Sequence, residues 1–144
     1  MSERYEISTD PARMQIDEIW CYLRGSYWSP DIRREVTQRA VENSICAGAF
    51  EKASGRQIGF ARAASDRATF AWLCDVYVLE EHRGQGLSKA MVRALVEHPD
   101  LQTLRRWLLA TRDAHGLYKQ FGFVPVEVDR WMEFKLPASA WKQT

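Results

Sequence analysis

Val76-Tyr77-Val78-Leu79-Glu80-Glu81-His82-Arg83-Gly84-Gln85-Gly86-Leu87-Ser88 carries the chain out of an apolar run and into a helical pattern. Upstream, Thr69–Leu79 is nearly continuous in apolar residues, which predicts a central strand covered on both faces. Downstream, Leu87, Ala90, Met91, Ala94 and Leu95 recur at helical spacing until Pro99-Asp100 ends the pattern. Two glycines therefore fall at a strand-to-helix turn. Glycine lets a backbone approach a ligand closely, and a helix start offers unpaired N–H groups at the positive end of its dipole. Arg83-Gly84-Gln85-Gly86 reads either as a tight turn that needs glycine or as an anion cradle suited to phosphate or pyrophosphate. Neither G-x-x-x-x-G-K-[ST] nor G-x-G-x-x-G occurs, so the loop is of neither the Walker nor the dinucleotide type.

Working outward, Arg4–Ser8 predicts a short strand. Asp10-Pro11 reads as an N-cap followed by a first-turn proline, and Ala12, Ile16, Ile19, Trp20 and Leu23 form the buried stripe of a helix that Gly25 ends. Pro30-Asp31 opens a second helix to about Asn43, with a weaker stripe at Ile32, Val36 and Ala40. Ile45–Lys52 and Gln57–Ala64 predict paired strands joined by Ala53-Ser54-Gly55-Arg56. After the third helix come a strand over Leu104–Ala110 and a short helix over Ala114–Phe121 closed by Gly122. Phe123–Val126 and Trp131–Leu136 read as final strands. The order β-α-α-β-β-β-α-β-α-β-β describes a mixed α+β fold in one domain, residues 1–144.

Composition narrows the classes of function. The 144 residues carry 20 Lys+Arg against 19 Asp+Glu, a net charge of +1, with 46% apolar and 12% aromatic residues. That apolar fraction excludes a disordered chain, and the balanced charge argues against nucleic-acid or anionic-membrane partners. Cys21, Cys46 and Cys74 include no C-x-x-C pair, so neither a metal site nor a disulfide framework is expected. Met1-Ser2-Glu3-Arg4 leads into mixed sequence without an apolar leader or span. A soluble, cytoplasmic domain is expected.

The strand-to-helix segment resembles the GNAT superfamily of acetyl-coenzyme-A-dependent N-acetyltransferases. Their signature [QR]-x-x-G-x-[GA] follows a strand ending in an aliphatic-x-Val pattern. Here Val76-Tyr77-Val78 precedes Arg83-Gly84-Gln85-Gly86-Leu87-Ser88 by four residues. Ser88 replaces the usual last small residue and adds a hydroxyl near the phosphates, and Glu80 stands where many members have Pro. A second pattern, A-x-x-[LF]-Y-x-x-x-G-F, is matched by Ala114, Leu117, Tyr118, Gly122 and Phe123. The Asn commonly found seven positions before that Tyr is Thr111 here, which puts one cofactor hydrogen bond in doubt. The resemblance covers nearly the whole chain. It implies a mostly antiparallel sheet of about six or seven strands flanked by about four helices.

Acetyl transfer from a thioester to an amine needs the cofactor held, the developing oxyanion stabilised and the leaving thiolate protonated. The resemblance implies that Arg83 to Ser88 supply backbone N–H groups to the pyrophosphate of acetyl-CoA. It also implies that Val76 and Val78 pair with the pantetheine, and that the Val76 N–H polarises the thioester carbonyl. Tyr118 is then the general acid, since a phenol of pKa about 10 stays protonated at neutral pH. On the residues alone, Tyr118 shares an amphipathic face with Ala114, Leu117 and Phe121, where a Tyr is ordinarily core. Direct transfer through a tetrahedral intermediate is expected; Cys74 lacks a neighbouring His in the sequence and argues against a covalent route.

The base is open. Relatives carry a Glu or His at a place that reads Trp72 or Cys74 here. Asp75, an acidic residue inside an apolar strand, could face the substrate, draw in a cationic amine, or pair with a buried Arg. His115 is a weaker candidate, and a base acting through water stays open. The resemblance builds the acceptor pocket from the first two helices, their connection and the late hairpin. Those regions contribute Tyr27, Trp28, Arg33, Arg130 and Trp131, with Trp72 nearby on the long strand. An aromatic wall suits a small-molecule or peptide amine, though each of these residues could instead be packing. Arg33-Arg34 and Arg105-Arg106 read as solvated faces or salt-bridge partners, and Arg106 could alternatively face a cofactor phosphate. A monomer or a homodimer is compatible with the chain, and a non-catalytic acyl-CoA-binding module is the rival reading.

Overall fold

The computed structural model describes residues 3–144, so the Met1-Ser2 part of the amino-terminal reading lies outside it. Nine regular elements follow in the order β1 (Tyr5–Ser8), α1 (Ile16–Leu23), α2 (Arg34–Glu42), β2 (Ile45–Glu51), β3 (Gln57–Ser65), β4 (Phe70–Val78), α3 (Leu87–Val96), β5 (Arg106–Leu108) and α4 (His115–Lys119). The strands form one sheet in the order β1-β2-β3-β4-β5, antiparallel through β4 and parallel between β4 and β5. This is the expected α+β architecture with four helices, on five strands rather than six or seven.

Period-two alternation sorts β2 and β3 between two cores. Ala47, Ala49, Ile58, Ala61 and Ala63 pack against the apolar stripe of α3, where Met91, Val92 and Leu95 are fully buried. Alanines and Gly59 let that helix lie close, since a Cβ on Gly59 would stand 3.1 Å from the Met91 methyl and 3.2 Å from the Tyr77 carbonyl. The opposite face of the sheet carries Cys46, Phe60 and Tyr77 against Ile19 and Leu23 of α1 and Val41 of α2. β4 lies inside the sheet, yet only part of it is covered, because Trp72 remains exposed and Cys74, Asp75 and Val76 are half-buried.

Several boundaries move, each for a local reason. Asp10 caps a single 3-10 turn, Pro11–Arg13, and α1 begins only at Ile16. Between them Gln15 is extended: its backbone N–H donates to the Gln57 side chain at 2.8 Å, and its own side-chain oxygen accepts from the Gln57 N–H at 2.9 Å. The second helix starts at Arg34 rather than Pro30, because Asp31 adopts the left-handed φ of 56° and breaks the helical run.

The two final strands do not form. Pro125 removes a ladder donor from the first, β5 offers only three residues as an edge, and residues 124–136 run exposed around a 3-10 turn at Val128–Arg130. Further on, the chain is tied down beside α2. The Arg33 N–H donates to the Trp141 carbonyl at 3.0 Å, and the Gln143 N–H to the Asp31 carbonyl at 2.8 Å. Among the described residues no helix is long and apolar enough to cross a membrane.

Candidate active site

β4 and β5 pair only from Phe70 to Trp72, opposite Arg106 to Leu108. Beyond Trp72 the two strands part, and β4 continues to Val78 with β3 alone as its neighbour. The remaining features gather around this opening.

A β-bulge lies at its centre. Phe60 pairs with Tyr77 and Arg62 with Cys74, so Ala61 faces two residues, Asp75 and Val76. Asp75 takes a left-handed φ of 56°, a conformation Asp tolerates better than most residues. A bulge of this kind re-aims the backbone groups beside it. The Asp75 carboxylate is engaged on both oxygens, accepting from Arg62 Nε at 2.8 Å and from Trp28 Nε1 at 3.0 Å. Arg62 also donates to Ser44 Oγ at 3.1 Å. The ion pair is largely covered, with the Arg62 and Asp75 side chains 18% and 10% exposed. The buried cation that an acidic residue in an apolar strand demands is therefore Arg62. Sequence reasoning left that partner unnamed, although Arg62 is itself a lone charge in the apolar run of β3.

At the far end of β4, the chain turns through a 3-10 turn at Glu80–His82 into the glycine loop and α3. Gly84 and Gly86 have φ of 79° and 74°, and an added Cβ would meet no atom within 4 Å at either. These glycines are needed for their backbone angles, and the space above them is open. Among the described residues, no side chain or backbone group accepts from the N–H groups of Gly84, Gln85, Gly86, Leu87, Ser88 or Lys89. Successive unpaired donors at a helix start are the kind of arrangement that suits an anion. Arg83 does not project from this loop. It folds back, donating from Nε to the Val78 carbonyl at 2.9 Å and from Nη2 to the Tyr22 hydroxyl at 3.3 Å.

Tyr118 is buried on α4, edge-on to Phe123 at 5.9 Å between ring centroids. Burial, with Tyr27, Asp113 and Cys74 close by, pushes its phenol up to about 12. Thr111 braces the turn that leads into this helix: its hydroxyl accepts from the N–H of Ala114, the residue before α4, at 3.0 Å. The Cys74 thiol is likewise pushed up to about 12, by burial against the opposing pull of Arg62.

On the other side of the opening stands the connection between α1 and α2. Trp28, bonded to Asp75, meets Tyr27 edge-on at 5.0 Å. The Arg112 guanidinium lies 3.8 Å from the Tyr27 ring centroid, joining this connection to the segment that leads into α4. Arg112 drew no attention in the sequence, where nothing marks it out from other surface cations. Tyr27, Trp28 and Asp75 are thus joined directly, and Tyr118 lies near enough to Tyr27 and Cys74 to feel their charge. Trp72 is on β4 at the margin of the opening, exposed and paired with Leu108. Trp131 is elsewhere: it stacks under Arg106 at 5.4 Å, in a groove of about 410 Å³ that also includes Phe70 and Arg105. Arg106 therefore faces an indole at the start of β5. Arg33 donates to the Ala140 carbonyl at 2.8 Å, Arg130 pairs with Glu127, and His115 is exposed on α4. Among the described residues no group of three or more His, Cys, Asp or Glu is placed to hold a metal ion.

Comparison with known proteins adds an independent line of observation. Residues 13–123 match the family model described as Acetyltransferase (GNAT) family. A candidate acetyltransferase of Gibberella zeae is 33% identical over 133 residues, 79% of this chain and 75% of that protein. The chloroplastic GCN5-related N-acetyltransferase 2 of Arabidopsis thaliana is 39% identical over 105 residues, 70% of this chain but 40% of that protein. Among solved structures, a Xanthomonas campestris protein assigned to the same family is 48% identical, with a TM-score of 0.87 over 93% of this chain and 94% of that one.

Proposed function

The chain belongs to the GNAT family of acetyltransferases, and from that premise we propose that it moves an acetyl group from acetyl-CoA to a primary amine of a small molecule or peptide. The observation that carries this reading is the run of six unpartnered N–H groups from Gly84 to Lys89, set beside the opening between β4 and β5. The open space over Gly84 and Gly86 fits a pyrophosphate, which the N–H groups would hold without cationic side chains.

Acetyl-CoA, when bound, supplies an activated acyl group on a thiol leaving group. The chain's own residues do the rest. Val76, turned by the bulge, offers its N–H to the acyl carbonyl, and Val78 borders the pantetheine arm. Tyr118 keeps its proton and delivers it to the departing sulfur. Thr111 serves by bracing the turn into the helix of Tyr118 rather than by reaching the cofactor. Tyr27 and Trp28 form the acceptor wall beside Asp75, with Trp72 at its margin. A protonated Cys74 thiol favours direct transfer over an acyl-enzyme.

The same position also sustains the rival reading. Trp72 and Cys74 stand where a strand base would act, and a module that binds acyl-CoA without turnover needs no base. Thermal-shift measurement with acetyl-CoA, paired with thiol release across a panel of amines, separates the two. Stabilisation together with thiol release is the expected result. Stabilisation without release from any amine would favour the binding module, and no stabilisation by coenzyme A would overturn both.

A further inference from the structure

The Asp75 carboxylate joins the interior of the sheet to the connection between α1 and α2. On one side Arg62 holds it at 2.8 Å and itself donates to Ser44, just before β2. On the other, Trp28 of the α1–α2 connection donates its indole N–H at 3.0 Å. The next residue in the chain is Val76, which shares the bulge opposite Ala61. Asp75 is left-handed at the bulge, and its side chain is held by both donors.

We propose that Asp75 is a positioning residue rather than the base: clamped between Arg62 and Trp28, it sets the direction of the Val76 N–H and locks the acceptor wall to it. The inference rests on the acetyl-transfer reading and deepens it. A carboxylate with one oxygen on a guanidinium and the other on an indole N–H is already committed to two donors. Its two partners also differ in kind. Arg62 lies in the rigid interior of the sheet, whereas Trp28 belongs to a connection that packs edge-on against the half-exposed Tyr27. An acceptor seated against Trp28 therefore acts on the same carboxylate that shapes the bulge. Coupling of this kind needs a contiguous set of bonded groups, and Trp28–Asp75–Arg62–Ser44 is one.

The test compares Trp28→Phe, Asp75→Asn and the double variant with the wild-type chain, reading kcat, KM for acetyl-CoA and the pH profile. Trp28→Phe removes the indole N–H while keeping an aromatic ring. Asp75→Asn keeps a residue tolerant of left-handed backbone and removes the charge. Each single variant is expected to lower kcat roughly 10- to 100-fold, the scale of an ångström-sized misplacement, with KM for acetyl-CoA within about 2-fold. The double variant should be no worse than the poorer single, because both break one unit. The acid limb of the pH profile should survive in Asp75→Asn. Loss of that limb, with Trp28→Phe as active as wild type, would make Asp75 the base and overturn the proposal. Wild-type kcat in both single variants would overturn it equally. Should Asp75→Asn not fold, Trp28→Phe alone decides through its kcat. A wild-type chain that releases no thiol ends the acetyl-transfer reading and this inference with it, whereas an active wild type with insensitive variants ends only the inference.

Discussion

Arg83 bends back onto the strand it follows, its Nε donating to the Val78 carbonyl at 2.9 Å. The charged side chain of the glycine loop is thus a brace, and on the proposed reading the anion is left to main-chain N–H groups. A single backbone conformation then supports the whole site, which makes it sensitive to changes that add no charge at all.

Gly86 is the sharpest probe. Its φ of 74° strains any L-residue, so Gly86→Ala should cost about 1–2 kcal/mol of stability by denaturant unfolding. Gly86→Glu should in addition abolish thermal stabilisation by acetyl-CoA, because its carboxylate would stand over the unpaired donors. Stabilisation retained in Gly86→Glu would place the phosphates somewhere other than this loop.

Tyr118→Phe keeps the ring packed edge-on against Phe123 and removes only the hydroxyl. Turnover should fall roughly 10²–10⁴-fold where chemistry limits the rate, with acetyl-CoA affinity nearly unchanged. Single-turnover kinetics and calorimetric titration measure the two quantities separately, and unchanged turnover would remove the phenol from the mechanism.

Cys74 offers a control on the route. With its thiol pushed up to about 12, little thiolate forms near neutral pH. Cys74→Ala should keep thiol release within about 3-fold of wild type under direct transfer, whereas loss of a true nucleophile removes several orders of magnitude. Mass spectrometry of the enzyme quenched during turnover should accordingly find no acetylated Cys74.

Stability should decline on the alkaline side. Burial raises the Cys46 and Cys74 thiols from 9.0 to about 12, with Arg62 pulling the other way, and raises the Tyr118 phenol from 10.0 to about 12. The folded chain therefore holds these protons more tightly than the unfolded chain does. Their stabilising contribution is complete below about pH 9 and is lost as pH rises toward 12, by at most about 1.4 kcal/mol per pH unit for each thiol. Denaturant midpoints measured from pH 7 to about 11 check the sign: a midpoint that rises above about pH 9 would contradict it.

What could be read in advance follows a physical division. The β4–loop–α3 segment was legible because glycine angles, helix periodicity and an apolar strand are local properties of the chain. Asp75 left a substrate role and a buried Arg partner equally open, since Arg62 reaches it only through the β3–β4 register, which a bulge shifts. Asp31 hid a left-handed break behind a good helix-start signal. Val124, Val126 and Val128, then Met132, Phe134 and Leu136, alternate as strand residues should, yet remain exposed because the short β5 offers little edge to pair with. The reading of Trp131 in the acceptor wall depended on that hairpin, and the indole lies against Arg106.

The brief parallel seam between β4 and β5 also bears on the order in which the molecule assembles. β2, β3 and β4 meet through two hairpins, while β5 reaches β4 only after the long crossover of residues 79–105 has closed. Closing such a loop costs entropy before the pairing it permits, so β5 and α4 are expected to join the sheet late. The part of the molecule that carries Tyr118 should then exchange its amide hydrogens sooner than β2 and β3, through openings that leave the rest folded. The bulge thus belongs to the part of the sheet built from neighbouring hairpins, and Tyr118 to the part that opens sooner.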